Sequence, residues 1–100
     1  MSADESNWRP DYSVTPRRVV CAANRHKTKG IIICGARHWD KLMRGQVKAM
    51  GEKPIGWDQG FVDQFGDWMN REEAWKVAAD QHQIVREVSS PGTLYSENLY

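Results

Sequence analysis

The chain lacks most of the features that announce a function. It has no apolar run long enough to cross a bilayer and no charged-then-apolar leader, so the sequence predicts a cytoplasmic protein with no membrane partner. Its two cysteines, Cys21 and Cys34, are far from the density of a secreted disulfide scaffold and are expected to stay reduced and packed. With His26, His38 and His82 they show none of the tight spacings of a zinc site. A glycine-rich phosphate loop and a nucleophile elbow are also missing, so no metal, no cofactor and no catalytic residue is expected. Charge of one sign is absent as well: 14 Lys and Arg stand against 13 Asp and Glu, leaving a net charge of +1. Such a chain does not attract long nucleic acids by its bulk field, and any anion it binds is captured locally.

What is present is tryptophan. Five Trp in 100 residues is unusual, and Trp often ends partly buried, stacked on rings or anchoring an interface. A chain of this length builds one core. Residues 1–16 hold Ser, Asp, Glu, Asn, Pro10 and Pro16 with little apolar bulk, and are read as a flexible tail. Residues 17–100 are read as a single α+β ligand-binding domain.

Within that domain, residues 17–24 and 30–35 have strand character and are joined by the polar loop 25–29, which predicts a hairpin. If the loop closes near Lys27–Thr28, Cys21 faces Cys34. The unbroken Ile31-Ile32-Ile33 run predicts a central strand covered on both faces. Trp39, Leu42, Met43, Val47 and Met50 recur three and four apart, a helical stripe that Gly51 ends. Residues 57–64 return as a strand, Gly66-Asp67 turns the chain through Trp68-Met69, and Asn70 with Glu73 forms a capping-box pattern for a helix running to about Gln83. That helix is expected to bury Ala74, Trp75, Val77 and Ala78, with Ala79 at its margin. Ile84 to Val88 and the alternating C-terminal residues read as short strands. The order ββα-ββα followed by short C-terminal strands predicts an α+β fold with a mainly antiparallel sheet and two helices.

Several side-chain groups invite both a functional and a plain reading. Arg37-His38-Trp39-Asp40 lies where a strand becomes a helix, where a guanidinium and helix-start amides can hold a phosphate; equally, Asp40 or His38 can cap the helix and Arg37 can make a surface ion pair. Asn24-Arg25-His26 closes the first hairpin as a turn, and Arg25, Lys27 and Lys29 there form either an anion contact or a solvated tip. Phe65 and Trp68 flank a turn, where a planar base stacks on an exposed ring, or where the rings fill a small core. Arg71 opposes the helix macrodipole and needs an anionic ligand or a partner's Glu to explain it, or is an exposed residue with a small cost.

Three blocks in order carry a family pattern: Val20-Cys-Ala-Ala-Asn-Arg25, Ile33-Cys-Gly-Ala-Arg-His-Trp-Asp-Lys-Leu-Met43, and Gly60-Phe-Val-Asp-Gln-Phe-Gly66 through Arg71-Glu-Glu-Ala-Trp75, closing on Leu94-Tyr-Ser-Glu-Asn-Leu-Tyr100. Over roughly residues 19–100 the chain resembles the small phage proteins of the first Thoeris anti-defence family. The resemblance implies a sponge in the cytoplasm of an infected bacterium. Such a protein binds cyclic ADP-ribose isomers, or cyclic di- or trinucleotides of related systems, without cleaving them. It also implies a homo-oligomer, dimer to hexamer, with pockets between protomers. The motif positions it carries over as pocket formers are Asn24, Arg25, Arg37, His38, Phe65, Arg71 and Asn98. The polar tail has no counterpart in it.

Rival readings are a nucleotide hydrolase with His38 and Asp40 as acid and base, an inhibitor that plugs a host protein through a Trp-rich surface, and a general nucleic-acid binder. The near-neutral charge argues against the last.

Overall fold

The structure is a computed structural model, and it describes residues 16–88 and 91–100. Residues 1–15, nearly all of the expected tail, lie outside the described residues. The elements run β1 (Val19–His26), β2 (Ile32–Gly35), α1 (Lys41–Ala49), β3 (Trp57–Asp63), β4 (Trp68–Met69), α2 (Arg71–Asp80) and a 3-10 turn (Ser96–Asn98). This is the expected α+β class and order, with four antiparallel strands in the order β2-β1-β3-β4. The C-terminal segment forms the 3-10 turn where short strands were expected, and Ile84–Val88 is not a strand.

Two helices cover one face of the sheet. Ala22, Ile33, Phe61 and Met69 point to that face and meet Met43 and Val47 of α1, Ala74 and Ala78 of α2, and Leu94 of the C-terminal segment. Full burial of Phe61 and Met43 contributes roughly 2 to 3 kcal/mol each. Both helices begin where the sequence places a cap. Asp40 accepts the Met43 N–H at 3.0 Å, and Asn70 with Glu73 closes a reciprocal capping box. Outward positions of the stripes stay exposed: Leu42 and Met50 on and after α1, Ala79 on α2. Trp39 precedes the cap instead of starting the helix, with φ 56°, and packs edge-on against Trp57 at 6.2 Å.

Three sequence expectations are corrected by the register. The first hairpin closes at His26–Gly30, with His26 N–H donating to Ile31 O at 2.8 Å and Gly30 at φ 70°. This turn is longer than assumed, so Cys34 faces Ala23, and Cys21 becomes its diagonal neighbour. Diagonal Cα atoms in a sheet lie about 7 to 8 Å apart. The two thiols still meet in a side-chain hydrogen bond. Both thiols are free, and burial, then the adjacent Cys34, pushes Cys21 up to about 11. It therefore stays protonated and unreactive at neutral pH.

The triple-Ile run is not central. It feeds the edge strand β2, where Ile33 is buried and Ile32 exposed in ordinary alternation. Asn24 is the third correction. It lies inside β1 and is wholly buried, not in the turn.

Glutamine amides complete the strand ends. Gln46 takes the Cys34 N–H at 3.2 Å and returns a bond to Cys34 O at 2.6 Å, blocking the edge of β2. Gln83 does the same at Val19, at 2.9 and 2.8 Å. Gln64 ties Arg18 N–H and Pro16 O at 2.8 and 2.7 Å.

On the face away from the helices, the Trp68 ring lies across Gly60. A Cβ at Gly60 would come within 2.6 Å of the indole and collide with Met69 O. Gly60→Ala is therefore expected to destabilise by about 1 to 3 kcal/mol through overpacking, read from urea unfolding midpoints. An unchanged midpoint would show that Trp68 does not rest there.

Candidate functional site

The site follows from how short β4 is. Its two residues pair with Phe61 and Val62, so among the described residues no strand lies beside Asp58 and Gln59 on that edge of β3. The first turn of α2 and Thr93 stand across the gap. The result is a cleft of about 260 Å³ lined by Arg25, Asp58, Gln59, Trp68, Asn70, Arg71, Glu72 and Thr93.

Strand alternation sets what each wall offers. Arg25 and Asp58 are opposite in register on the face away from the helices, and the Arg25 guanidinium lies over the Trp68 ring at 4.7 Å. Gln59 points to the helix face, where its side-chain oxygen accepts from Arg71. Lys27 reaches Asp58 at 3.7 Å and draws off part of its charge.

Arg71 has an internal explanation. Its guanidinium donates to Leu94 O at 2.6 Å and to Gln59, and faces the rings of Tyr95 at 4.4 Å and Phe61 at 6.0 Å. Its main-chain carbonyl also accepts the Leu94 N–H at 3.0 Å. No ion pair to it is present among the described residues, and burial lowers its affinity for the proton. The residue pins the C-terminal segment to β3 and α2.

Arg37 and His38 sit at the β2–α1 turn. The Asp40 carboxylate shapes that turn by accepting from Ala36 at 2.9 Å, Arg37 at 3.2 Å and Met43. Burial alone would raise the Asp40 carboxyl, yet these backbone bonds prevail and hold it below its ordinary range. Arg37 donates to the Tyr100 main-chain oxygen, lies over the Tyr100 ring at 5.4 Å and approaches Glu97 at 3.9 Å. The Tyr100 hydroxyl donates to Ala36 O.

His38 contacts Gly60 O through Nε2 at 2.7 Å and meets Phe61 edge-on at 5.0 Å. Burial, the largest influence, lowers it to about 4, so at neutral pH the ring is uncharged and its Nε2–H donates to that carbonyl. His38 and Asp40 thus hydrogen-bond to separate partners, and no hydrogen bond joins them among the described residues.

Of the seven expected pocket residues, the structure brings Arg25 and Arg71 into the cleft. Asn24 lies directly behind it, opposite Gln59, and among the described residues neither polar atom of its side chain has a partner. Arg37 and His38 hold the neighbouring C-terminal segment and β3. Phe65 is at the β3–β4 turn, the far end of β3 from Asp58. Asn98 is buried, accepts from Tyr95 N–H at 2.7 Å and donates to Arg86 O at 2.9 Å. Gln59, Asp58 and Thr93 were not anticipated. Gln59 is legible only once the register sets it opposite Asn24.

The depressed His38 pKa carries a sign. The unfolded chain takes this proton first as pH falls, so the stabilisation is complete above about 6.5 and is lost as pH drops toward 4. With allowance for the ring's partial exposure, stability is expected to fall by about 1 to 2 kcal/mol between pH 7 and pH 5 on this account. His38→Gln keeps an N–H donor and should flatten that fall in paired urea titrations. Equal slopes in both proteins would contradict it.

Among the described residues no helix is long and apolar enough to cross a membrane, and no cluster of His, Cys, Asp or Glu is placed to hold a metal. No curated protein and no solved structure matches the chain. A family model described as Phage T4 y16D protein matches residues 18–100, the whole sheet, both helices and every residue of the cleft. The chain therefore belongs to the phage T4 y16D protein family.

Proposed function

We propose that the chain is a phage anti-defence protein that binds cyclic nucleotide alarm signals, cyclic ADP-ribose isomers or cyclic di- and trinucleotides, and sequesters them uncleaved in the infected host's cytoplasm. The observation that carries this reading is the cleft at the end of β4, where two guanidinium groups, an indole, two amides, a hydroxyl and two carboxylates converge. That set matches the chemistry of such ligands. A pyrophosphate takes guanidinium donors, ribose hydroxyls take amide and carboxylate acceptors, and an adenine stacks on an aromatic or guanidinium plane. Two arginines against Asp58 and Glu72 leave the cleft near neutral, suited to a ligand of low charge.

Size supports a shared pocket. Sites for ligands of this class run from roughly 300 to 1,000 Å³. A cleft of about 260 Å³ encloses part of such a molecule. A second protomer closing over it would complete the enclosure and slow release, which favours a homo-oligomer of two to six chains. The hydrolase alternative draws no support from His38 and Asp40, because each is engaged elsewhere.

The test is to mix the protein with cyclic ADP-ribose isomers and cyclic di- and trinucleotides, remove free ligand, denature by heat and identify what is released by mass spectrometry. One intact cyclic nucleotide is expected. A cleaved product would replace sequestration by hydrolysis, and release of nothing would overturn ligand binding.

A further inference from the structure

The arginines of the domain are not equivalent. Arg17 is spent on Asp63 at 2.7 Å, Arg37 on Tyr100 and Glu97, and Arg71 on Leu94 and Gln59. The Arg25 side chain is exposed and makes no hydrogen bond or ion pair among the described residues, yet its guanidinium lies over the Trp68 ring, 4.7 Å from the centroid. The same indole lies against Gly60, where a methyl group would not fit. The cation–π stack of Arg25 on Trp68 thus ends in a guanidinium with its donors unused.

We propose that this stack is an oxyanion subsite. Trp68 is the positioning residue that fixes the Arg25 plane, and the in-plane N–H fork receives two oxygens of one phosphate or pyrophosphate group. A planar guanidinium suits such bidentate capture, and stacking on an indole removes much of the side-chain freedom that binding would otherwise have to freeze. The carboxylate opposite, Asp58, is approached by Lys27 at 3.7 Å, which reduces its repulsion of an incoming anion. Arg71, its donors engaged, adds positive field without offering a fork. This assignment rests on the reading that the cleft holds a phosphate-bearing ligand, and it names which group of that ligand goes where.

The test is calorimetric titration of the full chain with cyclic ADP-ribose, cyclic di-AMP, inorganic pyrophosphate and adenosine. The variants are Arg25→Lys, Trp68→Leu and Trp68→Phe, each checked for an unchanged far-ultraviolet spectrum. The phosphate-bearing probe that binds should lose about thirtyfold with Arg25→Lys, since a lysine keeps the charge but not the fork. Trp68→Leu should cost about tenfold, and Trp68→Phe should recover most of it, because a ring face is retained. Pyrophosphate binding alone would place the affinity in a free anion, and binding of a cyclic nucleotide would place it in the nucleotide phosphate; both support the subsite. Wild-type protein that binds no probe overturns this assignment together with the proposed function. Arg25→Lys that binds as well as wild type overturns the subsite alone and leaves the sequestration reading standing. Because Arg25 is exposed and otherwise unbonded, that variant tests the idea even if Trp68→Leu fails to fold.

Discussion

The interaction on which the arrangement depends is the half-buried guanidinium of Arg71. It joins the first turn of α2, the free edge of β3 and the C-terminal segment through bonds to Gln59 and Leu94 and the ring faces of Tyr95 and Phe61. A cation at a helix N-terminus opposes the macrodipole and is costly unless its field is answered. Here carbonyl, amide and aromatic faces answer it, with the fields of Glu97 and Glu72 adding to them. The C-terminal segment is thereby drawn into the core, where Leu94 is fully buried and Asn98 satisfies the turns around it. Arg37 holds the other end of the same segment at Tyr100. Two arginines far apart in sequence therefore clasp one stretch of chain, which converts an open sheet edge into a walled cleft.

The cleft itself results from a strand that stops early. Had β4 continued beyond Met69, it would have covered Asp58 and Gln59; instead Asn70 caps α2 and turns the chain away. Gly60 permits Trp68 to lie across the sheet at that point, and the indole supports Arg25. Local choices of backbone, a glycine, a cap and a two-residue strand, thus set the positions of the charged groups. The buried and unpartnered amide of Asn24 directly behind Gln59 fits the same picture of polarity concentrated at one end of the sheet. A buried amide without partners carries a desolvation cost of about 1 to 3 kcal/mol, and the described contacts within the monomer do not repay it.

Local patterns were readable and long-range ones were not. The Asn70–Glu73 box, the Met43–Val47 stripe and both hairpins rest on neighbouring residues, and they form as their chemistry dictates. The Cys21–Cys34 pairing failed because turn length sets register, and the extra residues of the His26–Gly30 turn shift every partner. The Ile run misled because three adjacent apolar residues do not distinguish a covered strand from an edge strand whose border is sealed by a side chain. Gln46 supplies that seal, and no periodicity announces it. In the site, Arg25 and Arg71 were legible as charges in odd places. Their meeting in one cleft, and Gln59 between them, required the β1–β3 register.

The five tryptophans offer a direct probe of where a ligand sits. In a 15N-labelled sample titrated with the cyclic nucleotide recovered from the protein, the indole N–H signals of Trp39, Trp57, Trp68 and Trp75 can be followed separately. A large shift is expected at Trp68, with Trp39, Trp57 and Trp75, which pack against the core, nearly still. Shifts confined to Trp39 or Trp75, or none at Trp68 under saturation, would contradict the placement of the ligand in the cleft.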